Sequence, residues 1–110
     1  MAEPTYLGEL EHMLLLAVLR RGEEAYGKSI RDEMEARAGR AVSRSAAYIT
    51  LERLVEKGYL SSRMGEPTAK RGGKAKRFYA VTPRGLEALK ATGRAFQEMW
   101  AGHEGLLEES

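Results

Sequence analysis

Apolar positions along this chain fall into four helical stripes and one pair of alternating runs. From about Leu7 to Arg21, the residues Leu7, Leu10, Leu14, Ala17 and Val18 recur at helical spacing and predict a first helix. Met13, Leu15, Leu16 and Leu19 widen that stripe around most of the girth, so the helix needs cover on more than one side, from its own domain or from a second subunit. Gly22 ends it. A shorter second helix runs from about Tyr26 to Ala38, with Tyr26, Ile30 and Met34 at i, i+4 and i+8 and Gly39 as its stop. The third starts after Ser43, a good N-cap, turns Ala47, Leu51, Leu54 and Val55 to the core, and closes at Gly58. Three helices in this order, with a short turn before the third, match the helix-turn-helix plan.

Two strand-like runs follow, Tyr59 to Met64 and Lys76 to Thr82, the second alternating Phe78, Ala80 and Thr82 against Arg77, Tyr79 and Val81. Gly65, Pro67, Gly72 and Gly73 lie between them and predict a hairpin tip. A fourth helix is signalled by Thr82 as N-cap and Pro83 at its first position. Along it Leu86, Leu89, Gly93, Phe96, Trp100, His103 and Leu107 recur at alternating spacings of 3 and 4, the a/d seam of a coiled coil held over three heptads. Gly93 and His103 are its weak members, and Gly102 with Gly105 should fray its end. Three helices and a hairpin already complete a small core, so this stripe calls for another surface. The candidate interface residues are Leu10 and Leu14 of the first helix and Leu86, Leu89, Phe96, Trp100, His103 and Leu107 of the last.

Length narrows this to one domain: 110 residues bury a modest core. A hydrophobic fraction of 43% with 31% charged residues fits a globular protein. No apolar run approaches a membrane span, and the N-terminus lacks the cationic start of a signal peptide, so the expectation is a protein without a membrane partner. The absence of cysteine removes disulfides and thiol chemistry and fits a reducing cytoplasm.

Charge changes the picture more than composition does. The formal net charge of +2 hides a strong segregation along the chain. Residues 1–27 carry two cations and five acids, residues 28–94 sixteen cations and seven acids, and residues 95–110 four acids and no cation. A basic middle between acidic ends points to a polyanionic partner. Its densest part is KRGGKAKR, where Lys70, Arg71, Lys74, Lys76 and Arg77 stand without an acid among them. Five cations in eight residues, with Gly72 and Gly73 to follow a surface, suit a phosphate backbone. On the third helix Arg44 and Arg53 suit guanine edges or phosphates, Ser45 and Tyr48 a phosphate, and Ile49 a thymine methyl. Ser43 at its start and Lys28 on the second helix add further candidate contacts. A plain half-buried packing role remains the alternative for Tyr48.

Catalysis finds little footing here. The two histidines, His12 and His103, have no cysteine beside them to make a structural zinc site, and no activated nucleophile stands beside a base. Gly72-Gly73-Lys74 lacks the glycine spacing and the Ser or Thr of a nucleotide-binding loop. No metal and no cofactor are expected. RNA is a weaker partner than duplex DNA, because no aromatic platform for unpaired bases is visible. A module that binds only protein is the alternative, and the five cations from Lys70 to Arg77 count against it.

Tyr26-Gly27, the run SRSAAYITLERLVEKGYL from Ser43 to Leu60, and RGGKAKRFYAVTPRG together resemble PadR-like winged-helix transcriptional regulators. Tyr48, Leu51, Leu54 and Gly58 match the pattern of that family's third helix, and Arg77, Phe78, Tyr79, Thr82 and Gly85 its exit from the wing. Ala47 stands where a leucine is usual, and Arg44-Ser45 where many members have Pro-Gly. The resemblance implies a mainly α fold with a small β-hairpin, residues 1–82 forming a winged helix-turn-helix DNA-binding domain and residues 83–110 a dimerisation helix and tail. It further implies a homodimer through the last helix, often helped by the first, on a near-palindromic operator in double-stranded DNA, and repression of a nearby promoter. Some short members bind a flat, small aromatic effector at the dimer interface through a tryptophan of the last helix. Trp100 occupies a comparable place with Phe96 one turn before it; packing of the dimer core is their alternative role.

Overall fold

In the computed structural model of the chain, residues 6–66 and 75–109 are described. Helix α1 (Glu9–Arg21) is followed by a 3-10 turn at Gly22–Glu24, then α2 (Gly27–Ala38) and α3 (Arg44–Glu56). The hairpin β1 (Leu60–Met64) and β2 (Arg77–Val81) comes next, then α4 (Pro83–Trp100) and a closing 3-10 stretch, Glu104–Glu108.

Each helix begins where its capping chemistry dictates. The Glu11 carboxylate accepts the Gly8 N–H, the Ser29 hydroxyl accepts the Tyr26 N–H, and the Ser43 and Thr82 hydroxyls accept those of Ala46 and Gly85. Pro83 stands in the first turn of α4, as expected. α1 and α2 end on Gly22 and Gly39, whereas α3 ends at Lys57, one residue before Gly58.

Leu14, Leu15 and Val18 of α1, Ile30 and Met34 of α2, and Leu51 and Leu54 of α3 form the centre of the core, with Leu60 and Tyr79 closing it from the hairpin. The strands pair antiparallel, with Leu60 opposite Val81, Ser62 opposite Tyr79 and Met64 opposite Arg77. β2 also touches the start of α2: the Tyr79 N–H donates to the Ala25 carbonyl at 2.9 Å, and Tyr26 bridges Phe78. That link ties the wing stem to the helix-turn-helix. α4 lies against α1, burying Ala88, Leu89 and Thr92, and the Thr92 hydroxyl accepts the Leu7 N–H at 3.0 Å.

Two expectations are corrected. The predicted heptad seam does not continue to Leu107, because α4 stops at Trp100 and Gly102 turns the chain at φ 86°, a conformation open to glycine and costly to other residues. His103 caps, and Leu107 belongs to, a separate 3-10 stretch, so neither extends an α-helical stripe. Leu14 and Leu89, expected at an interface between subunits, are buried inside the protomer, because both belong to its own hydrophobic core. Leu10 is partly buried against the same core. Leu86, Phe96, Met99 and Trp100 remain exposed.

Candidate nucleic-acid interface

The helix-turn-helix and the wing stem enclose a groove of about 980 Å³. Tyr26, Lys28 and Arg31 of the α2 side, Arg44, Ser45 and Tyr48 of α3, and Lys76, Arg77 and Tyr79 of the β2 side line it. Five of these are cations, and among the described residues no carboxylate lines the groove. Two cations are offset from outside: Lys28 pairs with Asp32 at 2.8 Å, and Arg77 pairs with Glu52.

The floor is built by ring packing. Tyr26 meets Phe78 edge-on at 5.8 Å between centroids, and the Lys76 ammonium sits 3.5 Å from the centre of the Tyr26 ring. Arg63 of β1 stacks on the Phe78 ring at 4.7 Å. Arg77 also donates to the Ser62 hydroxyl at 2.9 Å, so its guanidinium spans α3, β1 and β2. Burial raises the pKa of the Tyr79 phenol, whose hydroxyl donates toward the Glu52 carboxylate.

These contacts place the sequence candidates unequally. Lys28, Arg44, Ser45, Tyr48, Lys76 and Arg77 converge on the groove. Ile49 and Arg53 do not line it; with Ser45 they stand at i, i+4 and i+8 along the exposed ridge of α3. The Ser43 hydroxyl is engaged as the α3 cap at 3.1 Å. Lys70, Arg71 and Lys74 lie outside the described residues. Arg31 belongs to no motif of the sequence, although its position three residues after Lys28 puts both on one face of α2. Glu52, on α3, is paired with Arg77.

Three helices with a helix-turn-helix, a hairpin wing and a cationic groove between them define a winged-helix protein. The profile described as "Transcriptional regulator PadR-like family" matches residues 15–91, and the chain belongs to that family. Its fold is similar to that of a PadR-like transcriptional regulator (BC4206) from Bacillus cereus, at TM-score 0.70 and 21% identity over 92% of this chain and 93% of the other. A PadR family transcription regulator from Clostridium difficile matches at TM-score 0.69 and 18% identity, over 91% and 99% of the two chains. Smu.1704 from Streptococcus mutans matches at TM-score 0.68 and 21% identity, over 96% and 94%. No curated protein matches the sequence. The protein is thus a DNA-binding regulator of transcription and not an enzyme. Among the described residues no helix is long and apolar enough to cross a membrane.

Proposed function

We propose that the protein acts in the cytoplasm as a homodimeric repressor on a near-palindromic operator. The observation that carries this reading is the cationic groove between α2, α3 and β2, which is open, wide and free of lining carboxylates among the described residues. In this reading α3 enters the major groove, with Arg44 and Arg53 on guanine edges or phosphates and Ile49 against a thymine methyl. Ser45, Tyr48, Lys28 and Arg31 hold the flanking phosphates, and the Ser43 hydroxyl retains a proton to donate beside them. Lys76 and Arg77, with Lys70, Arg71 and Lys74 from the segment between the strands, follow the neighbouring backbone.

Residues 1–82 supply DNA binding and residues 83–110 the dimer contact, supported by the exposed Leu86, Phe96, Met99 and Trp100 on α4. Phe96 stacks on His12 at 6.1 Å, leaving Phe96 and Trp100 as the surface where a flat aromatic effector would bind. Fluorescence anisotropy on duplex from the gene's own upstream region, against a shuffled duplex and across salt, tests the reading. Salt-steep binding that prefers the upstream duplex is expected. Equal binding to both removes the autoregulatory operator, and no binding at low salt removes DNA as the partner in favour of a protein.

A further inference from the structure

A second groove, of about 590 Å³, runs between α1 and α2 and shares no lining residue with the cationic one. Its floor is apolar, made by Met13, Leu16, Leu19, Met34 and Ala38. Leu16 and Leu19 are 42% and 46% exposed, so α1 presents two leucines outward from a helix whose other face is the core. The rim is unbalanced in charge. One carboxylate, Glu33, serves three guanidiniums: Arg20 at 3.0 Å, Arg21 at 2.9 Å and Arg37 at 3.2 Å. The hydrogen bond from Arg20, ahead of those from Arg37 and Arg21, keeps the Glu33 carboxyl ionised by lowering its pKa. Of the groups that line the groove, Arg20 and Arg37 outnumber the one carboxylate, which leaves one positive charge in excess beside the apolar floor.

The same chain carries the complement. Residues 95–110 hold four acids and no cation, and the closing 3-10 stretch exposes Leu106 and Leu107 between Glu104 and Glu108. Within one protomer the two do not meet: no residue from 101–109 lines the groove, and no residue of α4 after Thr92 is buried. An acidic segment with two adjacent leucines and an apolar groove rimmed by surplus arginine match in both polarity and sign.

We propose that Glu104–Glu108 of a second copy of the chain seats in the α1–α2 groove, with Leu106 and Leu107 on the Leu16, Leu19 and Met34 floor and the flanking glutamates beside Arg20 and Arg37. In a two-fold dimer the exchange is reciprocal, each tail closing the other protomer's groove. The inference rests on the homodimer of the proposed function and adds a contact beyond α4 itself.

The chain has no cysteine, so any disulfide formed is a designed one. Leu19→Cys and Leu107→Cys proteins are mixed, allowed to exchange subunits and oxidised, while sedimentation of the unaltered protein gives its oligomeric state. The expected result is a dimer that yields a disulfide-linked pair of the two variants in excess over either alone. A dimer without that pair overturns this inference and leaves the homodimer standing, whereas a monomer overturns both. The Leu19→Cys/Leu107→Cys double variant closing a disulfide at monomer mass also overturns it, because the tail then folds onto its own groove. Replacing Leu106 and Leu107 together by Ser in the full chain should weaken dimerisation by roughly tenfold or more, and an unchanged dissociation constant counts against the proposal.

Discussion

A Cβ added at Gly85 would lie 2.2 Å from the Tyr59 carbonyl oxygen and 3.0 Å from a Val81 methyl carbon. The first turn of α4 is pressed onto the start of the hairpin there, held by the Thr82 N–H donating to the Tyr59 carbonyl and the Thr82 hydroxyl donating to that of Gly58. Backbone cannot yield as a flexible side chain does, so Gly85→Ala should lower unfolding free energy by about 1–3 kcal/mol. Urea denaturation with an unchanged m-value checks this. Sequence alone marks Gly85 only as a motif position after a Thr-Pro cap; the need for glycine comes from Tyr59, 26 residues earlier. Thr92 is similar. It reads as an unremarked polar residue in a helix, yet it is fully buried and supplies the acceptor for the Leu7 N–H.

At the scale of elements, α1 and α4 meet through His12 and Phe96, whose rings stack at 6.1 Å. Burial lowers the His12 pKa from its ordinary 6.5, because the charged imidazolium loses water it cannot replace. The unfolded chain then binds more protons than the folded one just below pH 6.5, so stability present above that pH declines as pH falls through the folded value. Glu11, Asp32 and Glu33 are lowered below their ordinary carboxylate values and titrate outside this window. His12→Gln should therefore flatten the decline in melting temperature between pH 7.5 and 5.5, followed by circular dichroism in matched salt. α2 and α3 define a second element-scale prediction. If Lys28 and Arg31 each neutralise one phosphate, removing either by alanine should reduce the slope of log affinity against log salt by about 0.9 on any duplex. Arg44→Ala should instead change which duplex is preferred, since a base contact carries sequence information and a phosphate contact does not. Anisotropy titrations on two unrelated duplexes separate the two outcomes.

At the scale of the whole molecule, the protomer presents its cationic groove from the helix-turn-helix and an apolar strip on α4 as separate surfaces. Two copies joined by the strip would hold two α3 helices for successive major grooves, about 34 Å apart. Trp100, at 37% exposure already half-sheltered by its own chain, is the largest side chain on that strip. Trp100→Ala should weaken dimerisation and operator binding together, by roughly tenfold or more in each dissociation constant. Sedimentation and anisotropy on the same preparation check the coupling; a variant that stays dimeric and binds normally removes Trp100 from the interface.

By itself the sequence determined the type and order of the elements, most of their caps, and the segregation of charge into a basic middle and an acidic tail. Periodicity, an N-cap hydroxyl, or a Thr-Pro start depends on residues within a few positions of one another, and those relations survive in any fold. Only the tertiary structure decided how several competing apolar faces were used. It buried Leu14 and Leu89 within the protomer and left Leu16, Leu19 and Phe96 outside, because cover depends on which distant segment arrives. It brought Arg31 into one groove with Arg44 and Lys76, and it paired Glu52 with Arg77 from 25 residues further along the chain. It also ended α4 at Trp100, where a glycine able to take positive φ outweighed a heptad pattern that had no neighbouring helix in the protomer to enforce it.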